Sequence, residues 1–363
     1  MKKVYIAATR QNDGKTVVSL GLLRAFKRRG RNVGYMKPVG QQYRLVDGNK
    51  IDKDVVLMNT VLGWKGADMC AMSPIAIPKG FTEQYIERPD RDGLVERISE
   101  GYDRASQGKD FFLIEGTGHA GVGSVFDMSN GDVANLLGAK VVMVSLGGVG
   151  RPIDEIMLNR SKFDTAGAEI AGVIVNKVEP SRYEKIAPRV TRGLERLGLR
   201  MLGVLPYDDY LSNPSMTELL EDLEGELLSG KRGLRNTVAH FIIGDMLPHE
   251  ALDYFTGNTL FIVPGNREEM ILAALSGHIL GTSIEPPISG IVFTGGHQPH
   301  PRIMSLLEQT NIPLILVQAD SFAVATMISK MIIKLRAEDE GKIEKIDAMI
   351  EKHVDLDTLW DVL

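Results

Sequence analysis

The stretch TRQNDGKT, residues 9–16, follows the apolar run KKVYIAA of residues 2–8 and precedes a helical pattern of apolar residues that starts at Val17. A strand, a polar loop ending in Gly-Lys-Thr and a helix are the context that a phosphate-binding loop requires. Backbone N–H groups at such a helix start point at an anion, and the helix dipole favours negative charge there. The stretch therefore predicts a phosphate site, with an ordinary strand-to-helix turn as the alternative, because Thr9 stands where the usual motif has its first glycine.

Residues of this loop have defined roles in phosphate binding. Gly14 lets the backbone pass close to phosphate oxygens, Lys15 would reach the β- and γ-phosphates, and the hydroxyl of Thr16 would hold Mg²⁺. The candidate nucleotide-binding residues of the loop and helix start are Asn12, Asp13, Gly14, Lys15, Thr16 and Val17.

Bulk composition limits the classes of protein and partner. The 363 residues are 44% hydrophobic and 25% charged, which is typical of a globular protein. The net charge of −5 argues against a nucleic-acid-binding surface. The single cysteine, Cys70, excludes an internal disulfide framework and fits a reducing compartment. With no apolar run of membrane-spanning length and a first strand starting at Lys2, we expect a cytoplasmic protein without a membrane partner.

Apolar runs alternate with helical patterns along the whole chain. This alternation predicts an α/β fold: a P-loop parallel sheet flanked by helices, followed by a second, smaller α/β domain. We place the nucleotide-binding domain at residues 1–213 and a connecting helix and linker at 214–236. The second domain takes residues 237–363 and ends in a charged, amphipathic C-terminal helix with a solvated face.

Charged residues stand where two strands of the first domain end. Lys37 follows the second strand, at the sheet edge where ligands bind in such folds. The strand FFLIE ends in Glu115, which is the form of a Walker B element and would let the acid meet Mg²⁺ held by Thr16. Asp54 opens a helical stretch and is either a helix cap or a third, metal-facing group.

Small residues follow two of the strands. The residues after Glu115, among them Gly118, leave room for a ligand. Gly148 belongs to the glycine-rich turn LGGVG of residues 146–150, which is either a tight turn or one wall of a substrate cleft.

Taken together, the motifs of residues 1–213 resemble the dethiobiotin synthetase fold, within the wider P-loop group that includes cobyrinic acid a,c-diamide synthase. The motifs that carry the resemblance are Thr9 with Gly14-Lys15-Thr16, Lys37-Pro38-Val39, Asp54, Glu115-Gly116-Thr117-Gly118, Gly147-Gly148, Asn176 and Leu205-Pro206. The segments VPGNREE at 263–269 and FTGG at 293–296 look like a DRTGG domain. The pairing of the two domains is similar to the N-terminal half of long bacterial phosphotransacetylases.

The resemblance implies ATP and Mg²⁺ as ligands. It implies that Lys15 and Lys37 act in catalysis, with Lys37 neutralising a phosphorylated intermediate. It implies that Asn176 meets the adenine edge, with Pro206 also in the nucleotide-binding set. The implied metal ligands are Thr16, Asp54 and Glu115, and the implied substrate-binding residues are Lys37, Gly118 and Gly148.

Departures from the synthetase pattern leave two functions open. Asn12 replaces a glutamate of the loop, Asp13 replaces an apolar residue, and Gln41 replaces a small hydroxyl residue. The first hypothesis is an ATP-dependent synthetase or ligase that activates a small carboxylate by phosphoryl transfer. The second is a non-catalytic, nucleotide-responsive regulatory or interaction protein. By analogy with doubly wound folds of this group, we expect a homodimer.

Overall fold

The computed structural model describes residues 1–279, 288–331 and 333–363. The chain divides into two compact units. The first unit combines Met1–Tyr207 with Leu335–Leu363, and the second unit is Asp208–Lys334.

The first unit begins with an alternation of strands and helices. Its strands are β1 (Lys2–Ala8), β2 (Val33–Met36), β3 (Val39–Gly40), β4 (Tyr43–Val46), β5 (Asn49–Asp52), β6 (Ile75–Ala76), β7 (Phe111–Glu115), β8 (Lys140–Leu146), β9 (Ile170–Val178) and β10 (Met201–Pro206). Its helices up to that point are α1 (Lys15–Arg28), α2 (Lys53–Leu62), α3 (Met69–Met72), α4 (Phe81–Glu87), α5 (Arg91–Ser106), α6 (Asn130–Leu136), α7 (Arg151–Ala166) and α8 (Tyr183–Arg196).

The main sheet of this unit is parallel throughout the described residues, with the strand order β10-β9-β8-β1-β7-β2. Strands such as FFLIE are apolar and buried along their length because helices cover both faces of a parallel sheet. In the register of β1 and β7, Ile6 pairs with Glu115, so the end of β7 lies beside the start of the glycine-lysine-threonine loop. The predicted fold class is confirmed.

The second unit has its own sheet and core. Its strands are β11 (Glu226–Ser229), β12 (His240–Ile243), β13 (Thr259–Pro264), β14 (Ile288–Thr294) and β15 (Leu314–Leu316), and its helices are α9 (Asp209–Ser212), α10 (Met216–Asp222), α11 (Pro248–Ala251), α12 (Glu268–Ile279), α13 (Pro301–Leu307) and α14 (Ser321–Ser329). The strand order is β11-β15-β14-β13-β12, and β11 is antiparallel to β15. The predicted linker at 214–236 thus contains α10 and an edge strand, and it belongs to this unit.

The chain then returns to the first unit as α15 (Glu340–His353) and α16 (Leu356–Val362). The second domain was predicted to run from residue 237 to residue 363, whereas the second unit ends at Lys334. Residues 280–287 and 332 of that predicted domain lie outside the residues that the structure describes. The apolar face of α15 packs on α1: a Cβ built on Gly21 would lie 2.3 Å from Ile350 Cγ1. Amphipathicity predicted the helix, but the helix it packs against is more than 300 residues earlier in the chain.

Among the described residues, no helix combines the length and the apolar character needed to cross a membrane.

Candidate functional site

The phosphate loop turns into α1 at Gly14. This residue has a φ of 97°, in the left-handed region, and a Cβ at this position would lie 2.2 Å from Asn176 Nδ2. Glycine avoids both the backbone strain and the clash. No side chain caps the start of α1, so the N–H groups of its first turn are left for an anion.

Lys15 is the first residue of α1 and is half-buried within the site. Its Nζ is 3.4 Å from the carbonyl oxygen of Gly118, which follows β7. Burial lowers the pKa of Lys15, and the nearby Glu115 carboxylate acts in the opposite direction. The structure therefore brings two of the predicted site residues, Lys15 and Gly118, together.

Thr16 and Glu115 form a pair of oxygen ligands. The hydroxyl of Thr16 donates to Glu115 Oε1 over 2.9 Å, and the hydroxyl of Tyr35 donates to Oε2 over 3.2 Å. Glu115 is 1% exposed, and burial, with repulsion from Asp54, raises its pKa to about 7. A hydroxyl and a carboxylate oxygen are ligands that suit Mg²⁺.

Lys37 is held by two carboxylates. Its Nζ lies 3.1 Å from Asp52 Oδ1 and also forms an ion pair with Asp54. Burial lowers the pKa of Lys37, but the two carboxylates outweigh burial and leave the pKa above its ordinary value. The charge of Lys37 is thus already neutralised by protein groups.

Asp52, and not Asp54, is the cap of α2. Its Oδ1 accepts from the N–H of Asp54 over 2.9 Å, and it occupies the N-cap position. The cap alternative considered for Asp54 is therefore wrong, because α2 begins at Lys53, one residue before it. The carboxylate of Asp54 is directed to Lys37 instead.

The residues present fit a magnesium ion only in part. Throughout the ranges that the structure describes, there is no group of three or more His, Cys, Asp or Glu side chains that could hold a metal. Of the predicted ligands, Thr16 and Glu115 lie together, and Asp54 is engaged by Lys37. Such a pair is nevertheless sufficient for Mg²⁺, which commonly takes one or two protein ligands and completes its shell with phosphate oxygens and water.

The side chain of Asp13 is buried beneath the backbone of the loop. Its Oδ2 accepts from the hydroxyl of Thr9 over 2.7 Å and from the N–H of Arg10 over 2.8 Å. Burial raises the pKa of Asp13, and these hydrogen bonds oppose that shift. Since the carboxylate bonds to the loop itself, the backbone of Asp13 is the part that can face a phosphate.

Asn176 lies near the carboxyl end of β9, against the same loop. Its Nδ2 donates to the carbonyl of Asp13 over 2.9 Å, and its Oδ1 accepts from the N–H of Lys177. Pro206 ends the neighbouring strand β10, in register with Val178. The structure places both at the carboxyl edge of the sheet, and a contact of either with a base stays a prediction.

The remaining predicted residues occupy the same edge. Asn12 is exposed, with a φ of 69°. Val17 lies within the first turn of α1. Gly148 follows β8 with a φ of 147°, and a Cβ there would lie 2.9 Å from Pro152 Cγ, so the turn is tight.

Sequence reasoning missed several residues that support the site. Tyr35 bonds Glu115, Asp52 bonds Lys37, and Lys177 donates to the carbonyl of Asn12 over 3.0 Å. Two of these had a local signal, since Asp52 stands two residues before Asp54 and Lys177 directly follows Asn176. Tyr35 had none, because its contact depends on the pairing of β2 with β7.

Comparison with known families identifies both units. A family described as an AAA domain matches residues 2–215, more than half of the chain, and the DRTGG domain matches residues 218–331. The predicted order of a P-loop domain followed by a DRTGG domain is therefore confirmed. The closer likeness to dethiobiotin synthetase stays a prediction.

Curated relatives match nearly the whole chain. The phosphate acetyltransferase of Nitratidesulfovibrio vulgaris is 26% identical over 361 residues, which are 97% of this chain and 50% of the relative. The phosphate acetyltransferase of Synechocystis sp. is 27% identical over 374 residues, 99% of this chain and 51% of the relative. The chain spans about half the length of these relatives, and the predicted similarity to phosphotransacetylases is confirmed.

A solved structure resembles part of the chain. The MinC:MinD cell division protein complex of Aquifex aeolicus matches with 15% identity and a TM-score of 0.38, over 58% of this chain and 84% of that one.

Proposed function

Because the chain belongs to the AAA-domain family that its residues 2–215 match, we propose that it binds ATP together with Mg²⁺ at the loop of residues 12–17. The observation that carries the proposal is the 2.9 Å contact of Thr16 with Glu115 beside the uncapped start of α1. The N–H groups of α1 and the ammonium of Lys15 would bind phosphates, and Thr16 and Glu115 would hold Mg²⁺. The metal would neutralise charge on the phosphates.

Two roles could follow from that binding. In one, the site transfers the γ-phosphoryl group to a small carboxylate, with Lys37 neutralising the acyl phosphate. In the other, the nucleotide is bound as a signal, and the protein is a regulatory relative of phosphate acetyltransferase. The ion pairs of Lys37 with Asp52 and Asp54 favour the signalling role, because a neutralised lysine gives little stabilisation to an anionic intermediate. A homodimer is part of this proposal by analogy only.

Titration calorimetry with ATP, in MgCl₂ and in EDTA, tests the binding site. We expect Lys15→Met to weaken ATP binding by about tenfold or more, since it removes a half-buried, positively charged phosphate ligand. Thr16→Val should leave binding in EDTA unchanged and abolish the gain from Mg²⁺. The matched control is Lys185→Met, at an exposed position of α8, which should bind like the wild type. Wild-type protein that binds no ATP under either condition would refute the proposal.

A second measurement separates the two roles. ADP release is followed with ATP and Mg²⁺ alone and with a panel of small carboxylic acids. The signalling role predicts tight binding without stimulated release. Stimulation by any acid would instead establish phosphoryl transfer.

A further inference from the structure

Side chains from outside the phosphate loop hold three of its carbonyl groups. The donors come from α7 and from the end of β9, both of which lie beyond the loop in the chain. The three bonds are Asn159 Nδ2 to Thr9 O at 3.2 Å, Lys177 Nζ to Asn12 O at 3.0 Å, and Asn176 Nδ2 to Asp13 O at 2.9 Å.

These bonds fix the directions of the N–H groups. In a planar trans peptide the carbonyl and the following N–H point to opposite sides. Holding the carbonyls of Asn12 and Asp13 therefore turns the N–H groups of Asp13 and Gly14 to the other side. Among the described residues neither N–H has a hydrogen-bond acceptor. Two adjacent N–H groups held in this way form a concavity that suits an anion.

The residues at both ends of the Lys177 bond have left-handed backbone conformations. Lys177 has a φ of 57° and Asn12 a φ of 69°, in the left-handed region that residues other than glycine seldom adopt. Such conformations persist where the surrounding contacts enforce them, and they concentrate at ligand sites. Lys177 itself is exposed, and its ammonium reaches back to the loop.

We propose that Lys177 is a positioning residue that presets the phosphate loop for an anion by holding the carbonyl of Asn12, with Asn176 and Asn159 holding the neighbouring carbonyls. The inference rests on the proposed function, in that the anion is the phosphate chain of the nucleotide. Lys177 acts on the loop and does not contact the nucleoside. Its loss should therefore affect phosphate binding and nucleotide binding to the same extent.

Calorimetry with pyrophosphate and with ADP, on the full chain in Mg²⁺, tests this role. Lys177→Met keeps the aliphatic stem but removes the donor, and it should weaken both ligands by the same factor, about tenfold. Lys177→Arg keeps a donor and should restore most of the affinity. The control Lys185→Met should change neither.

Three results would overturn the proposal. If Lys177→Met weakened ADP but not pyrophosphate, Lys177 would contact the nucleoside. If Lys177→Met weakened neither ligand while the wild type bound both, the positioning role of Lys177 would be refuted and the proposed nucleotide site would be unaffected. If the wild type bound neither ligand, the proposed function would fail as well.

Hydrogen exchange of the loop amides gives a readout without any ligand. Exchange across residues 10–16 should be faster in Lys177→Met than in the wild type, with an unchanged thermal midpoint. An unchanged exchange rate in a folded Lys177→Met variant would contradict the positioning role of Lys177.

Discussion

At the scale of single residues, Gly14 has the most restricted position of the phosphate loop. We expect Gly14→Ala to destabilise the fold by about 1–3 kcal/mol, because a left-handed alanine is strained and its Cβ meets the buried Asn176 amide. Pyrophosphate binding should be lost with it. The matched control is Gly30→Ala. Gly30 has a φ of 78°, but a Cβ there would meet no atom within 4 Å, so this variant measures the cost of the left-handed backbone alone. Urea unfolding checks both variants, and equal losses would show that the Asn176 contact contributes nothing.

Glu115 should make stability depend on pH when no metal is bound. Its pKa is raised from the ordinary 4.5 to about 7, so between these values the folded protein binds a proton that the unfolded chain has lost. The resulting stabilisation is full below pH 4.5 and is lost as pH rises through 7. Glu115→Gln should therefore gain stability relative to wild type as pH rises.

Urea unfolding in EDTA from about pH 5 to about pH 8 measures this effect. The control is Glu169→Gln, whose side chain is 66% exposed, and its difference from wild type should be nearly constant with pH. A constant difference for Glu115→Gln as well would contradict the assignment.

The residues that sequence could predict are those whose neighbours are local. Gly14, Lys15 and Thr16 follow one another, and their roles in the turn follow from that order. Lys37 and Asp54 were predicted as separate groups, one for an intermediate and one for a metal, yet they form an ion pair. Which charges pair depends on how β2 and α2 meet, and no spacing along the chain encodes that contact.

At the scale of elements, α1 is held by α15 through a charged contact as well as an apolar one. Arg24 makes a bidentate contact with Asp347 at 2.8 Å for both bonds, and Arg28 reaches the same carboxylate at 2.6 Å. The side chain of Asp347 is only 15% exposed. The contact therefore fixes the direction of the helix that starts at the phosphate loop.

Removing that charge should be measurable. We expect Asp347→Asn to lower the free energy of unfolding by about 1 kcal/mol, since the half-buried Arg24 and the exposed Arg28 lose the carboxylate that they share. Asp357→Asn is the control. Asp357 pairs with Arg29, directly after α1, but its side chain is 89% exposed, so the free energy of unfolding should change by close to zero. Chemical denaturation compares the two, and an equal effect would show that burial does not matter here.

At the scale of the whole molecule, the sequence predicted the order of the two families but not the path of the chain. Each family has its own glycine-marked motifs, and these are local. The return of residues 335–363 to the first unit is not visible in the pattern, because an amphipathic helix shows that it needs an apolar partner without showing which one. The chain passes from the first unit to the second after Tyr207, close to the predicted boundary at residue 213. Its return to the first unit after Lys334 was not predicted.

The return of the chain also has a consequence for biosynthesis. A ribosome completes Met1–Tyr207 and then all of Asp208–Lys334 before it makes the residues that cover Gly21 on α1. During this interval of translation the outer surface of α1 is bare, and exposed apolar surface on a nascent chain attracts chaperones or other nascent chains. The helix that follows the phosphate loop is thus covered only after the inserted unit has been synthesised.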